Sequence, residues 1–385
     1  MKNIIPLGEL SVEQFLKEYW QKKPLLIRQA FPSFTNPLGA DELAGLACEK
    51  DIESRIVLEK DGASPWELRN GPFSKDDFSQ LPKSHWTLLV QDVEKHIPEL
   101  TNITDLFDFI PNWRMDDLMI SYAPDKGSVG PHVDAYDVFL LQADGKRHWH
   151  IATDVINNDK LINNIDLKIL KQFNPDQDWV LEPGDMLYLP PGFPHHGVAI
   201  GDCMTYSIGF RAPSHLDMIQ SFVETITEQQ NCEILYSDPD LKHQVNPHEI
   251  SASTVTSFSD IIENHMTRAK QSMQHSIGAL LSESKIQFQT QKIVTPLDKS
   301  SFIKEWRNNQ TLFRNTAIKF LYIIASEHTD LYIDGQHHIT KITDAKLLEW
   351  ICSSLEFNYA DCSDHSEKQL SPLLYLFYKQ SFCYF

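Results

Sequence analysis

Gly130-Pro131-His132-Val133-Asp134-Ala135-Tyr136 and Pro190-Pro191-Gly192-Phe193-Pro194-His195-His196-Gly197 are the two stretches whose reading decides the fold. An apolar run, Val138 to Leu141, follows the first, and then the turn Ala143-Asp144-Gly145 and the tail Lys146-Arg147-His148-Trp149-His150. Side chains two apart on a strand share a face and stand roughly 7 Å apart along it. His132 and Asp134 therefore converge on one ion if their strand lines a barrel interior. Alone, His-x-Asp is an ordinary strand pair. A histidine from a distant strand changes that, because two imidazoles and one carboxylate leave half an octahedron open. This is the donor set of non-haem Fe(II) oxygenases, with room for a chelating co-substrate and O₂.

The whole chain sets the bounds. Its 385 residues predict two or three domains, with ordinary apolar content and no low-complexity tract. The first ten residues carry one lysine, Pro6 and Gly8, and no apolar core of signal-peptide length. No stretch reaches the apolar length of a membrane span. The six cysteines are scattered without a Cys-x-x-Cys pair, which predicts a reduced, cytoplasmic protein and not a disulfide framework or zinc site. A formal net charge of −19 argues against nucleic-acid binding, so no direct DNA contact is expected. The same acidity either favours a cationic partner or serves solubility alone.

Taken in order, Ser11-Val12-Glu13-Gln14 is a capping-box start for a helix that Lys22-Lys23-Pro24 stops. Strands are predicted at Pro24 to Ile27, Ile52 to Leu58 and Trp86 to Val90, and helices from Asp41 to Leu46 and from Pro98 to Ile110. Asp116 to Tyr122 reads as a strand with Met115, Asp117, Met119 and Ser121 on one face. Short strands punctuated by Gly and Pro follow, the pattern of a double-sheet jelly roll. A helical insertion is expected over Leu161 to Phe173, before strands at Trp179 to Leu181, Met186 to Leu189 and Met204 to Phe210. After Pro213 the texture turns helical. Ser214 caps a helix with the apolar stripe Leu216, Ile219, Phe222, Val223 and Ile226, and Phe258 to Leu281 continues in helix. From about Thr295 further helices surround a hairpin with Asp334-Gly335 at its tip, a winged-helix-like arrangement. Its acidic and apolar make-up supplies no recognition helix for DNA, which leaves a structural or protein-contact role.

The third ligand is one of two neighbours. Gly184, Pro190, Gly192 and His195 have the spacing of the second cupin motif, where proline and glycine bend the strand and the histidine points inward. A one-residue shift flips a side chain to the other face, which favours His195 over His196 without removing the alternative.

With Trp113 to Ser121, Gly130 to Asp134, Leu181 to Asp185, Pro190 to His195 and Ser207-Ile208-Gly209-Phe210-Arg211 together, the chain resembles the bacterial ribosomal oxygenases. These are JmjC-type 2-oxoglutarate enzymes that hydroxylate an arginine of large-subunit ribosomal protein sixteen. The resemblance runs over nearly the whole chain, strongest from Asn112 to Pro213. It implies a mainly β fold with helices: a double-stranded β-helix (JmjC/cupin jelly roll) over residues 1–213, a helical dimerisation region over 214–285 and a winged-helix-like domain over 286–385. It implies that His132, Asp134 and His195 hold Fe(II), and that Arg147 and Ser121 bind the distal carboxylate of 2-oxoglutarate, a task suited to a planar guanidinium fork. Lys146 is the local competitor, although alternation turns it to the other face. Asp117 shares the face of Ser121, and Tyr136 that of His132 and Asp134, so a carboxylate and an aromatic ring could hold a substrate guanidinium. The alternative readings are Asp117 as a loop cap or a partner of Arg114, and Arg147 as a solvated arginine after a turn. Trp113 and Trp149 are expected to pack, and His148, His150, His337 and His338 to be solvated.

The expected reaction decarboxylates 2-oxoglutarate to succinate and inserts one oxygen atom at Cβ of the arginine, in a basic ribosomal protein, by a homodimer. A histidyl hydroxylase or lysine demethylase would share the iron and co-substrate and differ only in the pocket. A non-enzymatic cupin binding module would keep the barrel without needing Arg147 and Ser121 beside a full ligand triad.

Overall fold

Ser11 Oγ accepts from the Gln14 N–H while the Gln14 side chain accepts from the Ser11 N–H, and this complete capping box opens the first helix, α1 (Val12–Glu18). Phe15 of α1 is fully buried and packs edge-on against Tyr188 and beside Phe139 of the central sheet. The computed structural model describes residues 5–60, 66–153, 161–162, 166–284, 295–308, 310–362 and 367–385. Its contacts divide the chain into two units, 1–212 and 213–385.

The first unit continues through β1 (Leu25–Ile27), α2 (Ala40–Leu46), β2 (Ser54–Glu59), β3 (Trp66–Asn70), α3 (Lys75–Ser79), β4 (Trp86–Val90), α4 (Val93–His96) and α5 (Thr101–Thr104). Then come β5 (Met115–Ala123), β6 (Asp137–Ile151), β7 (Gln177–Leu181), β8 (Met186–Leu189) and β9 (His195–Phe210). Among the described residues these strands form one antiparallel sheet in the order β1-β8-β6-β9-β5-β4-β2-β3, with β7 also paired to β6. β6 and β9 run together from the pair Asp137↔Phe210 to the pair Ile151↔His195, with register shifts around Asp144. The two halves of β6 have different second neighbours. Val138 to Leu141 pair with β8, and Arg147 to Ile151 with β7. This change of partner, at the register shifts of Asp144, winds the sheet into the jelly roll of a double-stranded β-helix.

Both faces of β6 are covered, which is why its sequence reads as a continuous apolar run. Phe139 and Leu141 join the main core with Tyr188, Tyr206, Ile208 and Phe210. Val138 and Leu140 face the other way, onto Trp149, Ile151, Leu187 and Leu189. Each fully buried ring or aliphatic side chain contributes roughly 1.5–3 kcal/mol. At the start of β6 the buried Asp137 accepts from Tyr188 Oη (2.6 Å), Gln21 Nε2 (2.9 Å) and Arg114 Nη2 (2.9 Å), tying the α1 segment to the sheet. In the Glu182-Pro183-Gly184-Asp185 turn, Asp185 accepts from Arg28 Nη1 (2.6 Å) and the Gln29 N–H (2.9 Å), which anchors the chain leaving β1.

Several elements differ from the sequence reading. Pro98 to Ile110 is not one helix but the single turn α5 between two 3₁₀ turns, Pro98–Leu100 and Asp105–Phe107. Thr101 and Thr104 hydroxyls bond carbonyls three residues back (2.7 and 3.0 Å), in keeping with the tight turns, while Leu100, Ile103 and Phe107 stay buried as their spacing predicts. The expected helical insertion at Leu161 to Phe173 is extended where it is described. Leu161 bridges Leu170 antiparallel, and the Leu170 N–H donates to the Pro131 carbonyl at 2.8 Å. Residues 154–160 and 163–165 of that region lie outside the described residues. β9 starts at His195, well before Met204, because Gly197 and Gly201 hide its alternation.

The second unit holds α6 (His215–Gln229), α7 (Ala252–Ala269), α8 (Met273–Ser282), α9 (Lys299–Arg307), β10 (Leu312–Arg314), β11 (Phe320–Ile324), β12 (Thr329–Ile333), β13 (Gln336–Thr340), α10 (Ala345–Ser353), β14 (Glu356–Phe357), α11 (Tyr359–Cys362), α12 (Glu367–Lys379) and β15 (Cys383–Tyr384). Ser214 and Asp217 form a capping box for α6. β11-β12-β13 make one antiparallel sheet, with left-handed Asp334 and Gly335 (φ 49° and 73°) at the tip of its second hairpin, and β14-β10-β15 make another. Phe302 and Trp306 of α9, Leu348 of α10 and Leu374 and Phe377 of α12 pack in the unit's own core. Among the described residues no helix is long and apolar enough to cross a membrane. All six cysteines are free.

Glu94 of α4 supplies a stability test. It is buried, and its Oε2 accepts from the Leu118 N–H of β5 at 2.9 Å. Burial pushes its carboxyl up to about 8, against the pull of Lys95. A carboxyl with a raised folded pKa binds its proton more tightly in the folded state, so stability falls as pH rises from the unfolded value through about 8. Glu94→Gln keeps the acceptor and removes the ionisation. It is expected to raise Tm by roughly 2–5 °C at pH 9 and to change it little at pH 5, in thermal scans across pH. Equal shifts at both pH values would mean that Glu94 does not titrate in this window.

Candidate active site

The His132 N–H donates to the His195 carbonyl at 3.0 Å, and the His195 N–H donates to the His132 carbonyl at 2.9 Å. The two residues are thus a directly opposed antiparallel pair whose side chains leave on one face. Their ring centroids are 4.2 Å apart. Each Nδ1 donates to the carbonyl two residues back, His132 to Gly130 (2.9 Å) and His195 to Phe193 (3.0 Å). That fixes both rings and leaves each Nε2 as the basic nitrogen, the way histidine ligands are commonly oriented. Both Nε2 atoms face Asp134, whose Oδ2 lies 3.9 Å from that of His132 and 3.5 Å from that of His195. One donor atom from each residue lies within 4.8 Å of the other two, close enough for one ion to touch all three. The Gly192 N–H bonds the Asp134 carbonyl at 2.9 Å, so the Pro-Pro-Gly turn braces the segment that carries the carboxylate.

Burial, with the His132 charge second, holds His195 down at about 4. Its imidazole is therefore neutral at pH 7, as metal ligation requires. His196 points elsewhere. Its Nε2 bonds Ser128 Oγ at 2.9 Å, its ring stands beside His150, and it is not in the three-residue donor group.

Alternation along β6 builds the rest of this wall. Arg147, Trp149 and Ile151 share a face and pair with Ala199, Gly197 and His195 of β9. A Cβ on Gly197 would meet the Trp149 ring at 2.8 Å, so glycine is what lets the indole lie across β9. Trp149 packs as expected, yet its ring also stands 5.9 Å from that of His195 and 5.7 Å from the Arg147 guanidinium. The shared face of Arg147 and Trp149 was the signal for that second contact. Arg147 is buried, and its Nε and Nη2 have no hydrogen-bond partner. A buried guanidinium without an anion is costly, so this one suits a ligand carboxylate. The Arg147 rung lies four residues from that of His195, a span of about 13 Å that accommodates a short dicarboxylate between the two side chains. Lys146 faces the other way, to Glu182 at 2.5 Å. Ser121 is buried on β5, and its described hydrogen bond is a long one, 3.4 Å to the Thr205 carbonyl and not to Arg147.

Asp117 is not paired with Arg114, whose guanidinium goes to Asp137. Among the described residues no lysine or arginine nitrogen lies within salt-bridge reach of Asp117. Burial, helped by the Asp92 carboxylate, pushes its carboxyl up to about 6. Burial likewise raises the Tyr136 hydroxyl, which also feels the charges of Asp134 and Asp117. The structure thus gathers Asp117, Tyr136 and Asp134. It adds Arg211, the last residue of the Ser207-Ile208-Gly209-Phe210-Arg211 motif. Arg211 is bonded to Asp116 at 3.0 Å and stands 5.7 Å from the Tyr136 ring centroid, so that ring already carries a cation. Two histidines expected to be solvated have partners instead: His148 bonds Asp178 at 2.8 Å and His337 bonds Asp330 at 2.7 Å.

Comparison with known proteins agrees with this geometry. Residues 102–218 match the JmjC domain family. The Escherichia coli protein named ribosomal protein uL16 3-hydroxylase is 32% identical over 327 residues, 85% of either chain. A Haemophilus influenzae protein named probable ribosomal oxygenase is 37% identical over 233 residues, 60% of this chain and 55% of its own. The structure of E. coli YcfD, a ribosomal oxygenase, in complex with cobalt and 2-oxoglutarate matches with a TM-score of 0.81 at 28% identity, over 98% of both chains. Similarity of this extent, in sequence and in the whole described fold, shows that the chain belongs to the ribosomal oxygenases, a family built on the JmjC domain.

Proposed function

We propose that this protein is an Fe(II)- and 2-oxoglutarate-dependent hydroxylase that modifies Cβ of an arginine in large-subunit ribosomal protein uL16. In this reading His132, Asp134 and His195 hold the iron, Arg147 and Ser121 hold the distal carboxylate of 2-oxoglutarate, and Asp117 and Tyr136 line the substrate pocket. The observation that carries it is the buried Arg147, with two unpartnered nitrogens on the same strand face as the His195 rung. The names of the E. coli relative and of the cobalt and 2-oxoglutarate complex supply the substrate and co-substrate. Six free thiols and an acidic chain fit a cytoplasmic enzyme for a basic protein.

Iron with 2-oxoglutarate and O₂ supplies an oxidant that places one oxygen atom in a C–H bond, 2-oxoglutarate leaving as succinate and CO₂. The chain's own work is positional. Backbone carbonyls of Gly130 and Phe193 hold the two imidazoles in the tautomer that presents Nε2. The Arg147 fork fixes the co-substrate by charge-assisted hydrogen bonds, and Trp149 walls the site against water. The Asp117 carboxylate, unpaired with any described cation, orients a guanidinium.

The direct test incubates purified protein with Fe(II), 2-oxoglutarate and unmodified uL16, followed by mass spectrometry. One added oxygen on a single arginine is expected, abolished by His132→Ala. Arg147→Gln is expected to raise KM for 2-oxoglutarate by about 10–100-fold, from the loss of a charge-assisted contact. Oxygen on a histidine, or demethylation of a lysine, would transfer the assignment to that class.

Asp117 gives the reaction a pH dependence. A carboxyl with pKa about 6 is neutral below that value and ionised above it. KM for the arginine substrate is expected to fall several-fold between pH 5.5 and 7.5, and this limb should vanish in Asp117→Asn. An unchanged profile in that variant would remove Asp117 from substrate binding.

Homodimerisation is part of the same proposal. Leu216, Ile219 and Val223 of α6 and Ile262 and Met266 of α7 are exposed, a larger apolar display than a solitary surface helix usually carries. Light scattering is expected to give twice the chain mass, and Ile219→Asp to shift it toward the monomer. A wild-type monomer would refute the dimer.

A further inference from the structure

A second set of ligand-type side chains converges in the unit formed by residues 213–385. Asp330 and Tyr332 lie two apart on β12, and His337 sits opposite Tyr332 on β13, so all three project from one face of the hairpin. Helix α8 packs against this hairpin at close range. A Cβ on Gly278 would meet the Tyr332 ring at 2.4 Å, so only glycine permits the approach. His275 precedes Gly278 by one helical turn, on the same side of α8, and the close packing brings its ring to the strand residues.

The contacts there are specific. The His275 and His337 ring centroids are 4.2 Å apart. His275 Nδ1 hydrogen-bonds the Tyr332 hydroxyl at 2.9 Å. His337 Nε2 donates to Asp330 Oδ1 at 2.7 Å, and Gln274 Nε2 donates to Asp330 Oδ2 at 3.0 Å. His328 Nε2 stands 3.6 Å from Asp330 Oδ1, at the exposed edge. One donor atom each from His275, Asp330 and His337 lies within 4.8 Å of the other two.

We propose that His275, Asp330 and His337 form a second metal site, for a borderline divalent ion of the Zn(II) class. Two imidazoles and one carboxylate suit zinc or cobalt, whereas magnesium and calcium prefer oxygen alone. Asp330 is buried and its neighbours from α8, β12 and β13 are histidines, a tyrosine and a glutamine, so a dication supplies the full compensating charge. Tyr332 and Gln274 are the outer partners that orient a ring and a carboxylate for a metal. His328 lies outside that donor group, although its Nε2 stands 3.6 Å from Asp330 Oδ1. Binding exchanges the His337–Asp330 hydrogen bond for two ligand bonds, with the Nε2 proton passing to Nδ1 or to solvent. The ion would join α8 to the β12–β13 hairpin, elements separate in sequence.

The test uses the full chain carrying His132→Ala and Asp134→Ala, which disables the candidate iron site. After dialysis against Zn(II) or Co(II), one ion per chain is expected by elemental analysis, together with a visible Co(II) spectrum of a low-coordinate site and a rise in Tm with Zn(II). Adding His275→Gln or His337→Gln, both at incompletely buried positions, should weaken binding at least about tenfold and abolish the Tm rise. The proposal is overturned if the double variant retains no ion, or if it retains the ion equally after either glutamine replacement.

Discussion

Everything at this site depends on the two backbone hydrogen bonds that set His132 directly opposite His195. Residues far apart in sequence become neighbours with a fixed side-chain direction, and a slip by one residue would present His196 in place of His195. The slip is blocked from two sides. β9 is held against β6 along its length, and the rung Ile151↔His195 closes that ladder. Beyond it the Ala152 N–H bonds the Pro194 carbonyl at 2.9 Å. The same ladder that places His195 also carries Arg147 and Trp149 at set distances from it, so the proposed ligand, wall and carboxylate clamp share one register.

The buried charges of the first unit show which of them are structural. Asp137 is fully buried but accepts from three donors, and Asp185 accepts from an arginine and from backbone N–H groups. Such groups complete their hydrogen bonding within the chain, as buried polar groups normally do. Arg114 is also buried in part and its Nε lacks an acceptor, but its Nη2 has the Asp137 carboxylate. Arg147 differs from these. Among the described residues no carboxylate reaches it, and two of its nitrogens lack any acceptor. A folded chain tolerates that cost where a ligand completes the pairing, and the contrast with Arg114 locates the cost at the site and not in the scaffold.

How much of this the sequence disclosed follows from the range of each interaction. Period-2 alternation and the Gly and Pro turns are local, so β4, β8 and the Asp334-Gly335 hairpin could be read directly, whereas the strand expected to carry His132 and Asp134 is a single bridge at His132 followed by an irregular segment. The preference for His195 also rested on alternation, and the structure brings His195, not His196, to Asp134. What escaped was set by partners distant in sequence. Trp66 to Asn70 becomes a strand only because β2 offers it an edge, and the glycines of β9 conceal its first half. The stretch after Leu161 has helical spacing, yet the described part is extended, Leu170 bonding Pro131 next to His132. His337 looked solvated because nothing near it in sequence showed that α8 would bring His275 and Gln274 to Asp330.

The acidity of the chain acquires a local meaning from the same geometry. Asp117 lies close enough to Asp92 for that charge to help raise its pKa, and Glu94, buried nearby, is raised further still. Lys95 bonds Asp92 and offsets only part of this repulsion. A pocket wall with excess carboxylate is destabilised relative to one with balanced charge, and in the proposed reading an arriving guanidinium would relieve that repulsion by favouring the ionised form of Asp117. Proton release and substrate binding are then two sides of one equilibrium. Arg211 limits the effect. It pairs with Asp116 and occupies the neighbourhood of the Tyr136 ring, so in that reading the substrate's cation would be drawn to Asp117 and not to these groups. In the proposed reading, selectivity for a cationic side chain would rest on Asp117, a carboxylate held by the Asp92 backbone N–H but paired with no lysine or arginine among the described residues.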